Sequence, residues 1–108
     1  MTRRVIELAQ IKLADGKTEQ ELTSASEVFQ AEFLDAQDGF LSRNLVRRSD
    51  GTYLDVIHWE SQEKADAVFA LAQKSEAAGQ YFMVMRFDAE SDDPAVEHCP
   101  IVSSFGAA

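Results

Sequence analysis

The alternation of apolar and polar residues predicts four strands, two long helices and a short third helix. Residues 5–13 and 52–60 carry apolar side chains at both odd and even positions, which is typical of strands covered on both faces. Residues 40–48 also have a strand-like pattern, and Ser49-Asp50-Gly51 separates them from residues 52–60. An Asp-Gly turn between two such runs favours a β-hairpin, so these strands are predicted to pair antiparallel.

Two segments carry clear helix signals. Thr18 and Glu21 form a capping box, which is followed by apolar residues at spacings of three and four, and Gly39 stands where that helix should end. Ser61 is the predicted N-cap of the second helix. Its buried stripe is predicted to comprise Ala65, Val68, Phe69 and Ala72.

The C-terminal third of the chain is harder to assign. Residues 81–87 have the composition of a strand, whereas Ser75 and the apolar spacing that follows suit a helix over residues 75–85, and periodicity does not decide between them. The acidic residues 88–94 are predicted to form a solvated loop. Residues 96–105 are predicted to form a last strand at a sheet edge or with a bulge, because they contain Pro100.

This order of elements indicates an α+β fold. Strand, helix, strand, strand, helix, short helix and strand give the split βαβ arrangement of ferredoxin-like domains, with a four-stranded antiparallel sheet and the helices on one face. The other face also carries apolar side chains, so we expect a second copy of the chain to cover it. The length suits a single domain over residues 1–108, acting as a homodimer.

Composition narrows the classes of partner and cofactor. The net charge of −9 makes nucleic acid and anionic membranes unfavourable partners. The one cysteine, Cys99, excludes an internal disulfide and a C-x-x-C motif, and no long apolar segment occurs, so a cytoplasmic protein is predicted. Histidine spacing typical of a metal site and glycine-rich phosphate loops are both absent, so no cofactor is expected.

Trp59 is the first candidate for lining a ligand site, because its ring offers a flat apolar wall and one N–H donor. Alternation along the strand places Asp55 on the same face, where it could act as a base or as a hydrogen-bonding group. Glu7 is expected to face the same space. Its alternative role is a surface ion pair with one of the arginines Arg43, Arg47 and Arg48.

The remaining candidates are polar residues with weaker positional support. His58 lies on the opposite parity from Trp59, so it reaches the same space only if the strand bulges, and a structural role is the alternative. Asn44, Tyr81 and His98 could each orient a carbonyl or quinol oxygen. Core packing is the alternative for Trp59 itself.

Four short motifs resemble a known family. They are Gln10-Ile-Lys-Leu followed by Asp15-Gly16, Asp38-Gly-Phe40, His58-Trp-Glu-Ser61, and Ser75-Glu-Ala-Ala-Gly-Gln-Tyr-Phe82. Over roughly residues 5–102 the chain resembles the antibiotic biosynthesis monooxygenase-like domains of the dimeric α+β barrel superfamily. The resemblance implies a helix at residues 75–85, sheets packed across a dimer axis, and a cavity between sheet and helices in each protomer.

The proteins that the chain resembles fall into three groups by activity. Relatives include cofactor-free oxygenases of polycyclic phenols or quinols, haem-degrading enzymes, and members with no demonstrated chemistry. The haem-degrading branch uses an asparagine, a tryptophan and a histidine, whose places are taken here by Ala9, Trp59 and Phe69, so haem degradation is not expected. The leading hypothesis is a protein that binds a small aromatic or quinone-like molecule and oxidises it without a cofactor. The alternative is a non-catalytic ligand-binding or assembly domain.

Overall fold

The computed structural model describes residues 3–87 and 95–106. In chain order the strands are β1 (Val5–Leu13), β2 (Phe40–Arg47), β3 (Tyr53–Trp59), β4 (Met85–Arg86) and β5 (Val96–Pro100). The helices are α1 (Glu19–Glu32), α2 (Gln62–Ala72) and α3 (Glu76–Met83), with a short 3₁₀ turn at Leu34–Ala36. In this part of the chain, none of the helices has the length and apolar character needed to cross a bilayer.

The strands form one antiparallel sheet in which β1 lies at the centre. β2 pairs with β3, and β3 pairs with one edge of β1. The other edge of β1 is shared, because its first half pairs with β5 and its end pairs with β4. This is the predicted ferredoxin-like α+β fold, so the fold class is confirmed.

Two details of the predicted sheet were wrong. Within residues 3–87 and 95–106 the sheet has five strands rather than four, because α3 ends at Met83 and Met85–Arg86 then forms a two-residue strand, too short to produce a sequence pattern. The last strand ends at Pro100 rather than at residue 105. Proline has no N–H to continue the ladder, and Ile101 N then donates to Arg4 O at 2.9 Å. The predicted loop at residues 88–94 lies outside the described residues.

The helices begin where the capping residues predict. The hydroxyls of Thr18, Ser61 and Ser75 each accept a hydrogen bond at 3.2 Å from the backbone N–H three residues later. Each hydroxyl therefore satisfies one of the N–H groups that the first turn of a helix leaves unpaired. Residues 76–83 are helical, as the Ser75 cap and the family resemblance both indicate.

The two faces of the sheet differ in their cover. Along β3, Tyr53, Asp55, Ile57 and Trp59 are buried, whereas the intervening residues are only partly buried. The buried face, here called the inner face, packs against the helices and contributes to the core. The outer face carries partly buried apolar residues on the two central strands, which are Ile6, Leu8, Leu54 and Val56.

Candidate functional site

A cavity lies between the inner face of the sheet and the helices, with a volume of about 110 Å³. Most of its walls are aromatic or aliphatic, including Phe29 and Phe33 from the first helical segment and Trp59 from β3. Phe69 and Phe87 also line it, although their residues are 57% and 65% exposed, so they form its rim. This combination of an apolar interior and an open aromatic rim suits a small ring compound.

The polar end of the cavity is built around Glu7. Its Oε1 accepts a hydrogen bond from Trp59 Nε1 at 3.2 Å and lies 3.0 Å from His98 Nε2. The sheet register explains why these side chains are in contact, because Glu7 is the Cα partner of His98 on β5 and of Ile57 on β3. One carboxylate oxygen therefore connects residues that lie 52 and 91 positions away in the sequence.

Asp55 also lines the cavity, but a second polar network holds its carboxylate. Arg43 Nη1 donates to both oxygens, at 3.2 and 3.3 Å, and the Tyr81 hydroxyl donates to Oδ2 at 2.7 Å. The Arg43 and Asp55 side chains are 7% and 4% exposed. A buried charge pair needs such hydrogen bonds to offset the loss of water.

The rest of the Arg43 guanidinium is bound as well. Nη2 donates to the carbonyl and the hydroxyl of Ser26, at 2.9 and 2.6 Å, and Nε donates to Gln30 at 3.0 Å. The guanidinium lies over the rings of Phe29 and Tyr81, 5.5 and 5.7 Å from their centroids. Arg43 therefore joins the edge strand β2 to α1 and α3 and has little capacity left to bind an external anion.

Burial changes the acidity of this network. Loss of water raises the pKa of Asp55, while Arg43 and the Tyr81 hydroxyl act in the opposite direction. Burial, with the nearby Asp55 charge as the next cause, raises the pKa of the Tyr81 hydroxyl far above its ordinary value. The Tyr81 hydroxyl therefore keeps its proton and donates a hydrogen bond to Asp55 throughout the physiological range.

The structure separates the six predicted site residues into three groups. Trp59, Asp55 and Glu7 line the cavity, and Tyr81 is buried next to Asp55. The other two candidates lie on the outer face, where His58 pairs with Ile6 and Asn44 pairs with Val56. A β-bulge does occur, but it lies between Phe40 and Ser42 on β2 and leaves the alternation of β3 intact. The binding roles of all six residues stay predictions.

Sequence reasoning missed the partners of these residues. The suggested ion pair between Glu7 and an arginine does not form with Arg43 or Arg47, because Arg43 binds Asp55 and Arg47 binds Glu19 at 2.6 and 2.8 Å. The sequence offers His98 as one of several polar groups and does not identify Glu7 as its partner. Its parity on β5 could have placed it on the inner face, but only the register of β5 against β1 identifies Glu7 as its partner.

The chain resembles known proteins in its fold but matches none of them by sequence. No protein-family model and no curated protein sequence matches it. Among solved structures, SnoaB from Streptomyces nogalater, a cofactor-independent oxygenase, is 16% identical, with 96% of each chain covered and a TM-score of 0.67. A candidate antibiotic biosynthesis monooxygenase from Bordetella bronchiseptica is 19% identical, with 94% of this chain and 99% of that chain covered and a TM-score of 0.72.

A haem-degrading protein from Mycobacterium tuberculosis has the same fold at a greater distance. It is 18% identical, and 95% of this chain and 99% of that chain are covered with a TM-score of 0.58. The predicted resemblance to antibiotic biosynthesis monooxygenase-like proteins is thus confirmed at the level of the fold. Identities this low show the fold alone, because one fold hosts many unrelated activities.

Proposed function

We propose that the protein binds a small aromatic or quinone-like molecule in the cavity and oxidises it with O₂, without a bound cofactor. The observation that carries this proposal is an apolar cavity in which Trp59 and two carboxylate residues, Glu7 and Asp55, share the walls. If neighbouring side chains had filled this space, a purely structural role for Trp59 would have been favoured instead.

The size and shape of the cavity support a ring-shaped ligand. A cavity of about 150 Å³ can hold benzene, and this cavity of about 110 Å³ is smaller, so a single ring would fill it and reach the open rim. Further fused rings would extend outward between Phe69 and Phe87. Aromatic walls favour stacked or edge-on contacts with such a ligand.

Oxidation of this kind requires little from the protein beyond binding the substrate. An anthrone takes one atom of O₂ at its methylene carbon to become a quinone, and the other oxygen atom leaves as water with the two hydrogens. A hydroquinone instead gives two electrons and two protons to O₂, which forms hydrogen peroxide. In both cases the substrate supplies the electrons, and the site has to orient it and keep it from bulk water.

The fold comparison gives independent support. SnoaB is described as a cofactor-independent oxygenase, and it shares this fold over nearly its whole length. For the present chain the same chemistry is a proposal, since the two sequences are 16% identical.

Oxygen uptake tests the proposal. The protein is incubated aerobically with anthrone and with 1,4-naphthohydroquinone, and O₂ consumption is compared with the rate without protein. We expect uptake above background that is largely lost in Trp59→Phe and retained in His58→Gln, because His58 is the neighbouring residue on the outer face. No uptake above background with either substrate, or equal uptake in Trp59→Phe, would contradict the oxygenase proposal.

A specific observation favours a second candidate, a ligand-binding domain without turnover. Both oxygens of Asp55 are already bound by Arg43 or Tyr81, and one oxygen of Glu7 is bound by Trp59 and His98. Carboxylates with these hydrogen bonds are suited to stabilising the fold. Ring binding in the cavity together with no O₂ uptake would establish this candidate over the oxygenase.

We also propose that the chain forms a single domain that acts as a cytoplasmic homodimer. Apolar residues on the outer face, such as Leu54 and Val56, support the dimer, because two such faces can cover each other. The single cysteine, which is a free thiol here, supports a reducing compartment.

A further inference from the structure

The two oxygens of Glu7 have different surroundings. Oε1 accepts the Trp59 indole N–H and also contacts His98, whereas Oε2 receives no hydrogen bond from residues 3–87 and 95–106. The Glu7 side chain is only 14% exposed, and it lines the cavity. A carboxylate oxygen in this position gains a hydrogen bond only from a donor that enters the cavity or from water.

The charge of the site limits which ligands can supply that donor. A carboxylate accepts hydrogen bonds and cannot donate them, so the matching ligand group is a hydrogen-bond donor, and on a phenol or hydroquinone ring that donor is a hydroxyl. The Arg43 charge is already matched by Asp55, so it does not neutralise a second anion. A carboxylate ligand next to Glu7 would meet a like charge in a poorly hydrated space, which opposes binding.

From this geometry we infer that Glu7 is the specificity-determining residue of the site and selects neutral hydroxylated rings, such as phenols and hydroquinones, over apolar rings and aromatic carboxylates. The inference rests on the proposed ligand site and names its substrate class. Oε2 accepts the ring hydroxyl, while the ring lies against the apolar walls beside Trp59.

His98 acts through Glu7 as a positioning residue. Its imidazole and the Trp59 indole hold the same oxygen, so the carboxylate keeps one orientation and Oε2 stays available. Without His98 the carboxylate can rotate about its last torsion, which is broad for glutamate. The preference for a hydroxyl should then weaken while the apolar walls stay intact.

The test uses three ligands that differ at one ring substituent, which are p-cresol, toluene and 4-methylbenzoate. Trp59 is the only tryptophan, so the protein has a single indole N–H resonance. Its ¹⁵N–¹H shift in a titration of the ¹⁵N-labelled protein reports binding at the site. We expect p-cresol to bind roughly tenfold or more tightly than toluene, as a hydrogen bond to a charged acceptor allows. 4-Methylbenzoate should bind most weakly.

Two pairs of variants assign the preference to named residues. Glu7→Gln should lower p-cresol affinity and raise 4-methylbenzoate affinity, with toluene unchanged, whereas Glu63→Gln removes the same charge from an exposed position on α2 and should change none of the three. His98→Phe should reduce the preference for p-cresol over toluene. His98→Gln keeps an N–H donor and should restore much of it.

The outcomes separate this inference from the proposed function. If none of the three ligands moves the indole resonance, the cavity is not a ring-binding site and the proposed function fails together with the inference. If toluene, p-cresol and 4-methylbenzoate bind equally well, or if Glu7→Gln leaves the affinities for p-cresol and 4-methylbenzoate unchanged, the ligand site stands and the role of Glu7 is wrong.

Discussion

Arg43 and Asp55 form a buried ion pair across neighbouring strands, with Arg43 Nη1 3.2 Å from Asp55 Oδ1. The pair lies on the inner face next to the cavity, and the Tyr81 hydroxyl from α3 completes it. The same arginine binds Ser26 of α1. One guanidinium therefore links β2 and β3 to two helices beside the cavity.

Replacement of Arg43 should leave Asp55 as a buried charge without a cation. We expect Arg43→Met to lower the free energy of unfolding by about 3–5 kcal/mol at pH 7.5. Burial already raises the folded-state pKa of Asp55, and Arg43 is the main influence that lowers it. Its removal should raise that pKa further, so the deficit should shrink as the pH falls and Asp55 takes up a proton.

Urea denaturation at pH 7.5 and pH 4.5 measures this change. The control is Arg47→Met, which removes the same charge from an exposed pair with Glu19 and should have little effect at either pH. A deficit that is constant between the two pH values, or larger at pH 4.5, would show that Asp55 is not the source of the loss.

Tyr81→Phe removes one hydrogen bond from the same carboxylate without changing the ring. The Tyr81 hydroxyl donates to Asp55 Oδ2 at 2.7 Å in a buried position, so its loss should destabilise the protein by about 1–3 kcal/mol. Tyr53→Phe is the matched control, because the Tyr53 ring is also buried but its hydroxyl interacts with Glu19 and Arg47, whose side chains are 41% and 66% exposed. Thermal unfolding followed by circular dichroism compares the two, and an equal or larger loss in Tyr53→Phe would contradict this account.

Gly39 is required by the packing of α2 as well as by its backbone. Its φ is +90°, and a Cβ added there would lie 2.5 Å from Lys64 Cβ. Gly51 has a similar φ of +87° with nothing within 4 Å of such a Cβ. Gly51→Ala should cost about 1–2 kcal/mol from the left-handed conformation alone, and Gly39→Ala should cost clearly more. If chemical denaturation shows equal losses of unfolding free energy in Gly39→Ala and Gly51→Ala, α2 accommodates the added Cβ without strain.

The proposed dimer makes a separate prediction for the outer face. Static light scattering at micromolar concentration should give twice the mass of one chain. Val56→Asp places a charge in the middle of that face and should give a monomer, whereas Ala67→Asp on the exposed side of α2 should not. A wild-type monomer at this concentration would refute the argument from the two apolar faces.

Local signals in the sequence were enough for most of the fold. The alternation of β3 correctly separated Trp59 and Asp55 from His58, because side chains in a strand point to opposite faces with a period of two. The residues Thr18, Ser61 and Ser75 also marked the helix starts, because each hydroxyl bonds a backbone N–H only three residues later. Strand β4 was missed because two residues cannot show a period.

The polar contacts of the site could not be predicted in this way. Glu7 meets His98 only because β5 pairs with β1 in one particular register, and no local pattern specifies that register. The mixed character of strand β2 suggests for Arg43 only the alternative of a surface ion pair with Glu7. The burial of Arg43 depends on α1 and α3, which cover it from other parts of the chain.

The proposed function and the proposed role of Glu7 both require a ring-shaped ligand that occupies the cavity against Trp59. The most direct measurement is a set of intermolecular nuclear Overhauser effects between p-cresol and the ¹³C,¹⁵N-labelled protein. We expect contacts from the p-cresol ring and methyl protons to the Trp59 indole and to Val68 and Phe33, which line the same cavity. Contacts only to outer-face residues such as Leu54 and Val56, or no contacts at saturating ligand, would contradict it.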